Sequence, residues 1–258
     1  MFCKICNSDS SYTFTAKILK KYDVKYFHCR SCGFLQTEEP YWLKESYSSV
    51  IGTGDTGIMK RNRTFIKRTS VLLRFLFDKN GRYLDYAGGH GIFTRAMRDI
   101  GFNYFWSDKY AENLYAHGFE YNGSDKINLV TAFECFEHFE NPVEDINNII
   151  DISRNILFST RTFTGAPPDS QKWWYYSLDD GQHISFYSTQ TLQFLASKHN
   201  LNLCTDNKSF HLLSEKKINN SVYNLLLKLS VLGLGNLVKI GMVSRTESDH
   251  NLNKEKIV

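Results

Sequence analysis

What the chain lacks narrows its class first. Its 258 residues carry no basic-then-apolar leader and open directly on Met1-Phe2-Cys3-Lys4-Ile5-Cys6, which predicts a cytoplasmic protein. No apolar run is long and clean enough for a membrane span. The most apolar stretch, 222–243, is interrupted by Lys228, Asn236 and Lys239, which predicts an amphipathic helix packed on its own domain or on a partner subunit, with peripheral membrane attachment as the alternative. No block of like charge occurs, and the net charge of +4 is spread along the chain. Nucleic acid is therefore permitted but not implied. There is no internal repeat or low-complexity tract, and 42% hydrophobic with 15% aromatic residues excludes the disordered class. A chain of this length buries a substantial core, as one main domain with a small appendage.

Of six cysteines, four form two pairs, Cys3-x-x-Cys6 and Cys29-x-x-Cys32, with 22 residues between the pairs. This is the spacing of a two-knuckle zinc ribbon. Disulfides or unliganded thiols are the alternatives, and a cytoplasmic setting disfavours the first. Four thiolates fill the coordination sphere of zinc, so the site is structural, with His28 as a competing ligand. Cys135 and Cys204 sit in apolar surroundings and read as core residues. The segments 12–18 and 24–28 alternate as ribbon strands do. A glycine-containing linker over 48–57 separates this module from a helix expected over 61–78.

From Tyr83 onward strand and helix patterns alternate. Strands are expected near 82–86, 103–107, 128–133, 155–159, 201–206 and 210–214, and helices near 91–100, 111–117, 142–150 and 189–199. This specifies an α/β fold: a mostly parallel, Rossmann-like sheet with helices on both faces, plus the small N-terminal ribbon. The units expected are a zinc-ribbon module over 1–47, the α/β domain over 48–214, and a helical extension and tail over 215–258. In such sheets ligands bind beyond the carboxyl ends of the strands.

The first strand of that sheet, Tyr83-Leu84-Asp85-Tyr86, runs into Ala87-Gly88-Gly89-His90-Gly91, with three glycines in four positions. Glycines let the backbone turn tightly and approach a ligand closely, and the following helix aims unpaired N–H groups at it. An ordinary Gly-rich connection would look the same. A dinucleotide fingerprint would place a third glycine where Thr94 stands. Asp85 at the strand end repels a pyrophosphate and suits a cationic ligand, while Asp108, closing the second strand, suits ribose hydroxyls. One nucleoside, one positive charge and no phosphate describe S-adenosylmethionine.

Residues 84–91 resemble the first motif of class I S-adenosylmethionine-dependent methyltransferases, acid-x-Gly-x-Gly-x-Gly, with Ala87 in place of the first glycine. Trp106-Ser107-Asp108 resembles the second motif, and residues 129–142 resemble the fourth-strand motif that ends Glu-His-Leu-x-x-Pro. The paired cysteines, Pro40-Tyr41-Trp42-Leu43, Asp55-Thr56-Gly57, Arg61-Asn62, Trp173-Trp174-Tyr175-Tyr176 and residues 181–187 together resemble a bacterial subgroup found with sugar and surface-polysaccharide biosynthesis.

The resemblance implies a donor site of Asp85, Ala87, Gly88, Gly89, Gly91, Asp108 and Lys109. It adds Phe133 and Glu134 to the adenosine pocket and Arg61 and Asn62 to the donor carboxylate. It implies a sugar, nucleotide-sugar or glycan acceptor. His183, in a turn after the last core strand, is the candidate general base, against a histidine that only hydrogen-bonds a loop. His138 reads as structural. Trp173 to Tyr176 offer flat faces to a sugar ring, with Asp179 or Asp180 for its hydroxyls, although such runs are more often core. The chain ends soon after the core, unlike C-methylating relatives, which favours O-methylation. The competing reading is a nucleic-acid-binding zinc-ribbon protein, or an RNA or DNA methyltransferase. Against it, no Lys/Arg cluster accompanies the ribbon aromatics.

Overall fold

The computed structural model describes residues 1–47 and 56–255; most of the expected linker, and Asp55, lie outside the described residues. The chain opens with β1 (Ser11–Ile18), β2 (Tyr22–His28) and β3 (Leu35–Thr37), then the short α1 (Leu43–Ser46) and the long α2 (Ile58–Leu76). Next come β4 (Arg82–Tyr86), α3 (Ile92–Ile100), β5 (Asn103–Ser107), β6 (Leu129–Ala132), α4 (Pro142–Ile152) and β7 (Asn155–Ser159). After them lie β8 (Ser185–Phe186), α5 (Thr189–Lys198), β9 (Asn202–Thr205), β10 (Phe210–Ser214), α6 (Asn220–Leu229), α7 (Gly235–Leu237) and α8 (Thr246–Glu255).

The main sheet has the order β5-β4-β6-β7-β10-β9. Its first four strands are parallel, β10 runs antiparallel to them, and β9, antiparallel to β10, closes the far edge. Alternate side chains of one strand face opposite sides of a sheet, and the core divides accordingly. Leu84, Val130, Ile156, Phe158 and Leu213 meet Ile146 and Ile149 of α4 and Leu192 and Leu195 of α5 on one face. Tyr83, Leu129, Leu157 and Leu212 meet Val71 and Leu72 of α2, Phe93 and Met97 of α3, and Tyr223 of α6 on the other. Helices therefore cover both faces, as the alternation predicts.

A second sheet has the order β1-β2-β3-β8. Its last strand comes from residues beyond β7, with Leu35 paired to Phe186 and Gln36 to Ser185. Trp42 is buried beside it, and its indole N–H donates to the Gly181 carbonyl at 2.8 Å. The turn preceding β8 is thus tied to the N-terminal segment at two places.

Two expectations fail. Residues 111–117 form no helix. The amides of Leu114 and Tyr115 both donate to the His90 carbonyl, and the Asn113 side chain takes the Ala116 amide, so local acceptors outcompete the helical pattern. The stretch 222–243 is not one helix either: Gly233, at φ 126°, breaks it after α6. No described helix is long and apolar enough to cross a membrane. Beyond the break, α8 carries Asp249 back to α3, where Arg98 donates to both of its carboxylate oxygens at 2.7 Å.

Candidate functional site

The glycine turn leaves β4 at the carboxyl edge of the sheet. Ala87 sits at φ 54° and Gly89 at φ 53°, so Ala87 bears roughly 1–2 kcal/mol of left-handed strain that a glycine would avoid. Gly88 is needed for space: a Cβ there would lie 2.7 Å from Asp85 Oδ2 and 2.9 Å from the Trp106 ring. Gly89 faces open space, and a Cβ added there would meet no atom within 4 Å. Gly91, at φ 86°, leads into α3, whose first-turn N–H groups face the turn.

Asp85 is buried, and accepts from Thr131 Oγ1 and Thr94 Oγ1 at 3.1 Å each. Burial pushes its carboxyl up to about 7, aided by the nearby Asp108 charge and opposed by the two hydroxyl donors. Asp108 Oδ2 accepts from the Gly89 amide at 2.9 Å, and Oδ1 accepts from the amides of Tyr110 and Ala111 at 2.8 Å each. Three of its roughly four lone-pair sites are engaged, which leaves one on Oδ2 for a ligand hydroxyl. The Trp106 indole N–H donates to the Gly89 carbonyl at 2.8 Å, a brace the sequence alone did not reveal. Lys109 is exposed, its ammonium 5.3 Å from the Tyr110 ring centre.

A second group of candidates gathers after β6. Glu134, at φ 52°, is held by Ser159: the serine hydroxyl donates to its carboxylate at 2.6 Å and accepts its amide at 2.8 Å. Arg61 on α2 reaches the same carboxylate at 3.5 Å. Asn62 donates to the Ile58 carbonyl within α2. Phe133 stacks on Phe65 at 4.4 Å and meets Phe93 edge-on at 5.1 Å, so its ring is committed largely to aromatic packing.

Arg61 is also close enough to His183 to disfavour its charged form. The His183 Nδ1 lies 2.7 Å from the Tyr175 carbonyl. A carbonyl only accepts, so the proton is on Nδ1 and Nε2 keeps its lone pair. Burial holds its pKa down at about 4. His138 stands opposite, with ring centres 5.0 Å apart, and its Nδ1 lies 3.1 Å from the Gln182 carbonyl. Its neighbour Glu137 is fully buried. Sequence reasoning missed this pair's place beside His183. The available sign was Glu134-x-x-Glu137-His138 directly after a strand, two acids and an imidazole in an otherwise apolar stretch.

The aromatic run divides. Tyr175 and Tyr176 are buried in the core of the second sheet, whereas Trp174 is 74% exposed, beside a surface hollow lined also by Asp179 and Asp180.

Cys3, Cys6, Cys29 and Cys32 converge, with sulfurs 3.5 Å apart for Cys3–Cys32 and 3.4 Å for Cys6–Cys29. None is in a disulfide. A tetrahedral zinc with bonds of about 2.3 Å needs sulfur–sulfur edges of about 3.8 Å, so the cluster fits the ion after a small expansion. His28 is not among the clustered ligands.

A sequence profile of the methyltransferase domain family matches residues 59–205. No curated protein matches the chain by sequence. Among solved structures, the chain is similar to magnesium protoporphyrin IX methyltransferase from Synechocystis with bound SAH, at 12% identity over 66% of this chain and 90% of that one, TM-score 0.44. It is also similar to an O-methyltransferase family protein from Burkholderia thailandensis, at 14% identity over 68% of each chain, TM-score 0.42.

Proposed function

The chain belongs to the methyltransferase domain family, and from that premise we propose that it moves the methyl group of S-adenosylmethionine to a hydroxyl of a sugar, nucleotide sugar or polysaccharide. When bound, the sulfonium donor supplies a methyl group already activated for displacement. The residues that suit it are the Gly88-Gly89 turn, with open space beside Gly89, the remaining lone pair of Asp108, and the buried Asp85 carboxyl, whose ionised form a neighbouring cation favours. Arg61 and Asn62 are assigned to its carboxylate and Phe133 and Glu134 to its adenosine pocket by the motif resemblance.

The observation that carries the reading is His183, a neutral imidazole with one fixed tautomer, set beside His138 and near Arg61. Its Nε2 lone pair is the proton acceptor for an incoming hydroxyl, a task worth about 10²–10⁴ in rate. Cys3, Cys6, Cys29 and Cys32 would hold a structural zinc, whose four thiolate ligands would leave no position for substrate.

The test is a screen of nucleotide sugars and glycans with labelled methyl donor, run beside calorimetric titration of S-adenosylmethionine into wild type and Asp108→Ala. Donor binding that Asp108→Ala abolishes, with methyl incorporated into a sugar acceptor, is the expected result. Salt-sensitive retention on a polynucleotide column without donor binding would replace this reading with a nucleic-acid one.

A further inference from the structure

Glu137 is fully buried, and neither carboxylate oxygen has a partner at normal hydrogen-bond geometry, although the Tyr175 and Thr160 hydroxyls are close enough to favour its charged form. Among the described residues no Lys, Arg or His forms an ion pair with it. Burying such a group costs several kcal/mol in its charged form, a cost that a bound cation would offset. A carboxylate oxygen of Glu137, a ring nitrogen of His138 and a ring nitrogen of His183 all lie within 4.8 Å of one another. A first-row cation bound at about 2.1–2.2 Å needs its donor atoms roughly 3–4.4 Å apart, so shifts below about 1 Å close the set.

The surroundings are those of a ligand set. Metal-binding histidines usually donate the other ring N–H to a backbone carbonyl, which fixes the tautomer. Nδ1 of His183 does so to Tyr175, and Nδ1 of His138 does so to Gln182, with the Tyr47 hydroxyl also 3.1 Å away. Both Nε2 atoms therefore carry lone pairs. The two ligand segments are also fastened together: Ile184 N–H donates to the Glu137 carbonyl at 2.9 Å, Ser185 Oγ to Phe139 at 2.7 Å, and Tyr187 OH to Phe136 at 3.1 Å.

We propose that Glu137, His138 and His183 bind a divalent first-row cation through one carboxylate and two imidazoles, leaving open positions for acceptor oxygens. This donor set suits manganese, iron, cobalt or zinc better than magnesium or calcium. The inference rests on the methyl-transfer reading and revises one part of it. With the ion bound, His183 acts as a ligand, and an acceptor hydroxyl on an open position loses its proton to water. That oxygen's electron pair then forms the bond to the methyl carbon, while the carbon–sulfur pair returns to sulfur.

Mn²⁺ is the probe, because the soft thiolate cluster takes it poorly whereas carboxylate and imidazole accept it. The full chain is titrated with Mn²⁺, with and without S-adenosylhomocysteine. Electron paramagnetic resonance counts bound ions, and pulsed measurements read nitrogen couplings. One bound Mn²⁺ per chain with couplings from two imidazoles is expected. Glu137→Gln and His138→Gln should each weaken binding at least tenfold while donor binding persists. Absence of bound Mn²⁺ in protein that still binds donor overturns the metal site alone. Bound Mn²⁺ without nitrogen coupling, or unaltered in both variants, overturns it too. If the variants fail to fold, the wild-type couplings decide. Failure of wild type to bind the donor overturns the methyl-transfer reading instead.

Discussion

His183 holds its Nδ1 proton on the Tyr175 carbonyl at 2.7 Å, so its Nε2 is unprotonated at neutral pH. His183→Ala removes that atom while leaving the glycine turn, Asp85 and Asp108 intact. The expected outcome is donor affinity within about threefold of wild type and turnover reduced at least about a hundredfold, read by calorimetry and by labelled-methyl assay. Undiminished turnover in the variant would remove His183 from the chemistry.

Gly88 and Gly89 make a matched pair of tests. Gly88→Ala drives a methyl against Asp85 Oδ2 and the Trp106 ring, which should cost about 1–3 kcal/mol of stability. Gly89→Ala meets no protein atom and should cost about 1 kcal/mol for its positive φ, yet it places a methyl in the space assigned to the donor. Thermal melts with and without S-adenosylmethionine separate these effects: the donor-induced rise in Tm should vanish in Gly89→Ala. A full donor-induced rise there would move the donor elsewhere.

Asp85 gives a pH test with a definite sign. Its folded pKa is raised to about 7 by burial, against about 3.9 when unfolded. The folded protein retains that proton between these values and the unfolded chain does not. Asp85 therefore favours folding most at low pH, and its contribution falls as pH rises from about 4 to about 7. The change is about 1.4 kcal/mol per pH unit at most. Asp85→Asn does not titrate, so its Tm relative to wild type, both without donor, should climb across this window. A gap that stays constant with pH would show that Asp85 ionises normally.

Much of this architecture is legible in the sequence, and the exceptions share a cause. The β4 strand, its glycine turn and the β5 and β7 strands follow from local alternation, and their observed bounds match the expected ones. Local pattern failed over 111–117, where His90 and Asn113 supply competing acceptors. It also failed at 222–243, where a single glycine conformation ends the helix. His138 reads as structural and Glu137 goes unremarked because their partner, His183, is distant in sequence, and tertiary bonds such as Ile184 N–H to the Glu137 carbonyl bring the segments together. A two-residue strand such as β8 has no periodicity to detect.

The return of α8 to α3 carries a further expectation. Arg98 is 2% exposed and is held by both oxygens of Asp249, by the Tyr104 carbonyl and by Asn103, beneath the Phe119 ring. Asp249→Ala strands the guanidinium and should cost about 3–5 kcal/mol, seen as a lower denaturation midpoint. Arg98→Met combined with Asp249→Leu should recover most of that loss. A single variant as stable as wild type would show that α8 contributes nothing there.

The pairing of β3 with β8 also constrains how the chain is made. Residues 1–47 leave the ribosome well before β8, so their sheet lacks its last strand until residues 185 and 186 have been synthesised. Until then β3 presents an unpaired edge, the kind of surface that recruits strands from other chains. The N-terminal strands therefore depend on later sequence to complete their sheet, and the interval between synthesis of β3 and of β8 is the one in which that edge is exposed to misassembly.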